Sequence, residues 1–338
     1  MTALRDWLGG LPKVELHVHL VGSASVPTVL ELARRHPDSG VPTEEAALRE
    51  FYAFSDFAHF IEVYIAVDAL VRTAADVEAI ATGVLADLAA QQVRYVELTV
   101  TPDSHLLKGI APDGLAEALA RARERARQEH DLVVGWVFDI PGELGLASGE
   151  RTIDWVERWA PEGTVGLGLG GPEIGVPRPQ FADVFARARA LGLASLPHAG
   201  ETTGPQTVWD AVEVLGAERV GHGLAAAQDA ALLQHLAEHG IALEVCPTSN
   251  LCTRAVADLA DHPWHAFRAA GVTVTLNSDD PGMFDTSLTR EYTVAAQAFE
   301  LGRPELADLV RTALDVSYAT DAVRQRVRAE VDAYPLGA

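Results

Sequence analysis

Eight times along the chain a short run rich in Val, Ile, Leu or Thr is followed by a segment of helical periodicity. That alternation leaves few folds open. The runs are VELHVHL (14–20), VRYVELTV (93–100), LVVGWVFDI (132–140), TVGLGLGG (164–171), LASLPHAG (193–200), RVGHGL (219–224), IALEVCP (241–247) and VTVTLNSDD (272–280). Segments between them, such as 73–92, 181–192 and 226–240, space apolar residues three and four apart, the period of an amphipathic helix. Eight such units predict an α/β fold, a parallel sheet closed into a (β/α)8 TIM barrel. An open doubly wound sheet is the competing arrangement. It calls for a glycine-rich phosphate turn after the first strand, which GSAS at 22–25 matches poorly. The 338 residues fit one barrel domain spanning 1–338. Between the first two runs, LREFYAFSDFAHFIEVYIAV (48–67) repeats Phe51, Phe54, Phe57 and Phe60 every third position. It predicts a helical insertion whose apolar face packs on the core, roofs the barrel mouth, or both.

In such barrels chemistry gathers at the C-terminal ends of the strands. His17 and His19 end the first run and, two residues apart, point to one side of it. His198 ends the fifth, His222 lies in the sixth, and Asp279 and Asp280 close the eighth; Glu201 follows His198 in HAGE. A lone strand histidine is usually structural, and SDDP alone is usually a turn. So many titratable groups at the same ends of several strands point instead to a metal site. Three imidazoles and one carboxylate with a position left for water describe a catalytic zinc site. His17 and His19 then sit in a buried strand because they are ligands. The HExxH of zincins is missing, as is HxE with PCxxC; the two cysteines stand six apart in CPTSNLC. A dinuclear hydrolase would want a bridging residue ending the fourth strand, where GLGLGGPE offers no lysine.

The formal charge of −22 (26 basic, 48 acidic residues) argues against nucleic acid or an anionic membrane as partner and leaves small molecules. Cys246 and Cys252 are too few for a disulfide framework, and the N-terminus lacks a signal-peptide h-region. A soluble cytoplasmic protein is the expectation, with monomer and oligomer both open.

VELHVHL, HAGE, GHG (221–223), CPTSN (246–250) and NSDDP (277–281) resemble, in order, the motifs of the adenosine deaminase family across nearly the whole chain. The resemblance implies a barrel holding one zinc ion per chain that replaces the 6-amino group of an adenine ring by oxygen. It implies His17, His19, His198 and Asp279 as ligands and Glu201 as proton donor. His222 would orient the attacking water, Asp280 would hold N7, and the Gly171 backbone would meet N3. The chemistry is coherent: zinc lowers the pKa of water from 15.7 to roughly 7, and a neutral Glu201 beside N1 supplies general-acid catalysis.

One position departs from the family. After HxHL an aspartate is usual, and the resemblance assigns it to the ribose 5′-hydroxyl; here Val21 stands there. A valine cannot accept that bond, and leaving a hydroxyl unpaired costs about 1–3 kcal/mol. An apolar wall suits a 5′ carbon that bears a substituent. HVHLVGSAS, FSDFAHF, FDIPGE, GLGLGGPEIG and HAGETTGPQTVWDA are similar to the 6-aminodeoxyfutalosine deaminase branch, which serves menaquinone synthesis and whose substrate carries a carboxylated aryl ketone. A cation should meet that carboxylate, with Arg72 as candidate. Asp139, ending the third run, is the candidate for a ribose hydroxyl, and Glu173 either touches substrate or braces its loop. Val21 as mere packing would leave adenosine as substrate. A non-catalytic nucleoside-binding barrel is disfavoured by the presence of Glu201, and an amide or ester hydrolase fits GLGLGGPE and HAGE less well.

Overall fold

Each apolar run forms a strand, in a computed structural model that describes residues 2–336. The strands are β1 (Lys13–His19), β2 (Val93–Val100), β3 (Val133–Pro141), β4 (Thr164–Gly170), β5 (Ala194–Ala199), β6 (Arg219–His222), β7 (Ala242–Val245) and β8 (Val274–Leu276). They form one sheet in sequence order, every neighbouring pair parallel. Parallel strands need a crossover, which the intervening helices supply, and their covering makes the strands apolar throughout rather than alternating. All seven residues of β1 are buried.

The last pair closes differently. Between β8 and β1 there is a single bridge, Val18 with Asp279, in which His19 N–H donates to Asp279 O (2.9 Å) and Asp279 N–H to His17 O (3.0 Å). The Asn277 side chain accepts Leu16 N–H at 3.1 Å, adding one side-chain contact to the junction. The barrel is therefore nearly closed, and its final contact lies at the metal-ligand candidates themselves.

Between β1 and β2 the chain forms four helices, Val26–Arg35, Glu45–Phe51, Phe57–Asp68 and Ala74–Ala90. The segment 48–67 is thus not one helix. Asp56 accepts His59 N–H (2.9 Å) as an N-cap, so Ser55–Asp56 starts a new helix rather than continuing the old one. The regular phenylalanine spacing does not trace a single face. Phe54 and Phe60 instead pack against Phe284 beyond β8, edge-on and tilted, with centroids 5.8 and 4.9 Å from it. Thr73 and Asp76 form a capping box that starts the Ala74–Ala90 helix. Among the described residues no helix is long and apolar enough to cross a membrane.

Candidate active site

The ends of β1, β5, β6 and β8 converge on one buried cluster. His17 Nε2 lies 3.4 Å from His19 Nε2 and 3.3 Å from Asp279 Oδ1. His19 Nε2 lies 3.2 Å from His198 Nε2 and 3.3 Å from Asp279 Oδ1. A tetrahedral zinc with bonds of about 2.0–2.1 Å has ligand–ligand edges of about 3.3–3.4 Å. Three imidazole nitrogens and a carboxylate oxygen at that spacing suit a divalent cation. His222 also comes near: His17, His198, His222 and Asp279 each offer an atom within 4.8 Å of the others. But His222 Nε2 addresses the second oxygen of Asp279, at 3.8 Å, which Ser249 already bonds at 2.6 Å. The tighter set of distances contains His19 and leaves His222 beside it.

Two of these residues, His222 (φ 60°) and Asp279 (φ 63°), hold left-handed backbone conformations. For residues with a Cβ this costs about 1–3 kcal/mol and persists where surrounding structure imposes it. Glycine is required next to them. A Cβ on Gly221 would lie 2.7 Å from His17 Cε1 and 3.1 Å from His198 Cγ, and one on Gly22 would run into the Asp280 carboxylate.

Behind the ligands runs a buried ionic chain that motif reading missed. His17 Nδ1 meets Glu244 Oε2 at 2.8 Å, and Glu244 Oε1 accepts Arg219 Nε at 2.6 Å. Arg219 also donates to Glu97 and to Val316 O (2.8 Å), and Tyr95 OH donates to Glu97 at 2.9 Å. Burial alone would push the Glu244 carboxyl up, but Arg219 and His17 outweigh it and bring it to about 2. Its signal in the sequence was the same oddity that flagged His17: a charged residue inside an apolar run, IALEVCP and RVGHGL.

The cluster floors a cavity of about 380 Å³ that His19, His198, Glu201, His222, Asp279 and Asp280 share. Burial, reinforced by the charges of Asp279 and Glu173, holds the Glu201 carboxyl well above its usual range. Its Oε1 accepts the Thr253 hydroxyl at 3.2 Å, and its Oε2 lies 3.7 Å from His222 Nε2. Asp280 is raised by burial and by neighbouring Asp279, and its Oδ1 is buried with no partner. Burial drives the His222 ring down to about 3, so it is neutral. The Asn250 amide nitrogen lies 3.1 Å from His222 Nδ1; with that nitrogen donating, the ring proton sits on Nε2 and faces the cavity.

The remaining sequence candidates separate. Gly171 and Asp139 line the cavity, Asp139 accepting the Thr101 hydroxyl at 2.6 Å and raised by burial. Glu143, which sequence reading passed over, lies beside Gly171 and is also raised by burial. Tyr64 and other residues of the helix Phe57–Asp68 also line the cavity. Glu173 braces rather than lines: its carboxylate accepts Gly200 N–H (3.1 Å), Glu201 N–H (2.9 Å) and the Thr203 hydroxyl. Two expectations need correction. Arg72 is not in the cavity; its guanidinium is held by both Asp38 oxygens at 3.1 Å, outside the helix Phe57–Asp68. Val21 does not line the cavity either. Residues 20–23 turn back, with Ser23 N–H donating to His19 O (3.0 Å), and Val21 packs in the core, 4% exposed. A second cavity of about 390 Å³, lined by Tyr52, Leu251 and Phe284, contains none of the cluster.

Comparison with known proteins gives a consistent result. The Adenosine deaminase family model matches residues 12–334. An aminodeoxyfutalosine deaminase of Streptomyces avermitilis is 54% identical over 333 residues, covering 98% of this chain and 93% of the relative. An adenine deaminase of Streptomyces coelicolor is 37% identical, covering 97% of each. Among solved structures, the adenine deaminase of Arthrobacter aurescens superposes with a TM-score of 0.90 at 30% identity, over 95% of this chain and 98% of that one. An amidohydrolase from Burkholderia ambifaria with bound Zn also gives 0.90, at 27% identity over 98% and 93%.

Proposed function

The chain belongs to the adenosine deaminase family, and on that premise we propose that it hydrolyses 6-aminodeoxyfutalosine to futalosine and ammonia. It is a hydrolytic deaminase acting on the C–N bond of an amino-purine. The observation that carries the reading is the meeting of the 3.2–3.4 Å donor set with Glu201, a buried carboxyl raised above its usual range, at one cavity. The choice of substrate leans on the 54% identical aminodeoxyfutalosine deaminase, nearer than the adenine deaminases.

We assign His17, His19, His198 and Asp279 to one zinc ion per chain. When bound, zinc polarises a water molecule and lowers its pKa to near neutrality. The other steps belong to the protein. Ser249 holds Asp279 Oδ2 and so directs Oδ1 to the ligand set. His222, with its Nε2 proton toward the cavity, orients the attacking oxygen. Glu201, its carboxyl held well above the usual range by burial and the charges of Asp279 and Glu173, gives its proton to ring N1 as attack at C6 makes that nitrogen basic, a role typically worth about 10²–10⁴ in rate. Asp280, raised by burial and by Asp279, faces N7, and the Gly171 amide meets N3. Asp139 and Glu143 are placed for sugar hydroxyls. Glu173 holds the Glu201 backbone and keeps the acid aimed. A cytoplasmic setting fits Cys246 and Cys252, both unpaired thiols.

The test is kcat/KM on 6-aminodeoxyfutalosine and on adenosine, followed at 265 nm, with bound metal quantified. A large preference for the former is expected. Equal or better turnover of adenosine would overturn the substrate assignment and leave the deaminase chemistry standing.

A further inference from the structure

The cavity continues outward from the ligand cluster along the helix Phe57–Asp68, and its outer part has another chemistry. Ile61 and Ile65 line it together with Leu107 and Leu144. Ile65, Leu107 and Leu144 are 54%, 61% and 45% exposed. Three large aliphatic side chains standing in solvent at one mouth form an apolar collar, unlike single leucines scattered over a surface. Within this collar, Lys108 is the only lysine or arginine among the described residues that line the cavity; the titratable groups around it are mostly carboxyls.

Lys108 caps the C-terminus of the helix Pro102–Leu107, which begins where β2 ends. Six helical residues span about 9 Å, so Lys108 follows the end of β2 by one short helix, and it lines the same cavity as His19, Glu201 and Asp279. Its Nζ donates to the Asp68 carbonyl (2.6 Å) and to Asp68 Oδ2 (2.8 Å). An ammonium has three hydrogens, so one is left. Asp68, besides Lys108, is bonded by Ser104 at 3.4 Å. The pair is part-buried, where a charge-assisted bond is stronger than in open water.

We propose that Lys108 and the Ile65, Leu107, Leu144 collar form a subsite for an apolar 5′ substituent that ends in a carboxylate. The collar covers the body of the substituent, and the third ammonium hydrogen meets the acid. A phosphate directly on the 5′ carbon would place a dianion against the aliphatic wall, so a carboxylate on an apolar spacer is the better match. This rests on the deamination of a 5′-substituted nucleoside proposed above, and it replaces Arg72 as the cation.

The experiment compares 6-aminodeoxyfutalosine with its carboxylate methyl ester in the wild-type enzyme, Lys108→Met and Lys108→Arg. Methionine keeps the stem and removes the charge. The expected result is a KM for the acid raised about 10–100-fold, as for loss of a charged hydrogen bond, with kcat little changed. The wild-type preference for acid over ester then collapses toward one, and Lys108→Arg restores part of it. If Lys108 serves only to hold the end of the helix Phe57–Asp68, acid and ester lose equally and their ratio stays at the wild-type value, which overturns the subsite. Inability of the wild-type enzyme to deaminate the acid would instead remove the substrate reading, and it is seen before any variant is made.

Discussion

Replacing Glu244 by glutamine tests whether the ionic chain behind the ligands positions His17. At neutral pH the Glu244 carboxylate is charged, and it accepts on both sides: from His17 Nδ1 at 2.8 Å and from Arg219 Nε at 2.6 Å. Glutamine keeps the shape but has one accepting end and one donating end. Arg219 cannot deprotonate, so the amide turns its oxygen there and presents NH2 to His17 Nδ1. That makes Nδ1 the acceptor and favours the tautomer with its proton on Nε2, the atom facing His19 and Asp279. A ligand must be deprotonated to bind, so metal affinity falls. Loss of such an outer partner lowers metal affinity about 10–100-fold, equivalent to about 1.4–2.8 kcal/mol at 1.4 kcal/mol per decade. The assay is a chelator-competition titration of zinc on wild type and Glu244→Gln, with metal-free melting curves run alongside. A variant that melts normally without metal and binds zinc as tightly as wild type would refute the orientation of His17 by Glu244.

Glu201→Gln is expected to retain stoichiometric metal while kcat falls about 10²–10⁴, the value of the general acid; near wild-type turnover would remove Glu201 from that role. As the proposed acid, Glu201 would have to be protonated to act, and the pH profile of kcat/KM is then expected to fall as pH rises through its pKa. Thr253 stabilises the charged form through its hydroxyl and Glu173 opposes it by like charge. Thr253→Val should therefore move the alkaline limb to higher pH and Glu173→Gln to lower pH, both read from pH–rate profiles; shifts of the opposite sign would contradict the assignment. Val21→Asp puts an unpaired carboxylate into the core and is expected to lower stability by several kcal/mol without creating a preference for adenosine. Denaturant melts and the two-substrate assay check it, and a stable, adenosine-preferring variant would restore Val21 as a specificity position.

Much of the fold was legible because parallel strands covered by helices read as continuous apolar runs, and all eight appear as strands. The strands are shorter than the runs toward the end of the chain: 272–280 narrows to Val274–Leu276, because its polar end, Asn277 to Asp280, turns into the site. That His17, His19, His198 and Asp279 come together could be read because polar residues at strand ends have no place in a purely structural barrel. Arg72 and Val21 could not. Their placement depends on where a loop turns and which acid stands nearby, and neither depends on local pattern. Asp38, which captures Arg72, lies 34 residues away in sequence. The break at Ser55–Asp56 shows the same limit, a three-residue spacing overridden by an N-cap.

The β8–β1 junction has a further consequence. Two of the proposed ligands lie in the first strand and one just past the last, so an ion seated there would cross-link the two edges that the sheet itself joins by a single bridge. In chain terms it closes a loop of some 260 residues, from His19 to Asp279, in the manner of a reversible staple. Chelation should then loosen the barrel first along that line, and hydrogen exchange of the His19 and Asp279 amides would rise ahead of those in β3 and β4. A zinc ion held as proposed would on that account also be the clasp of the architecture.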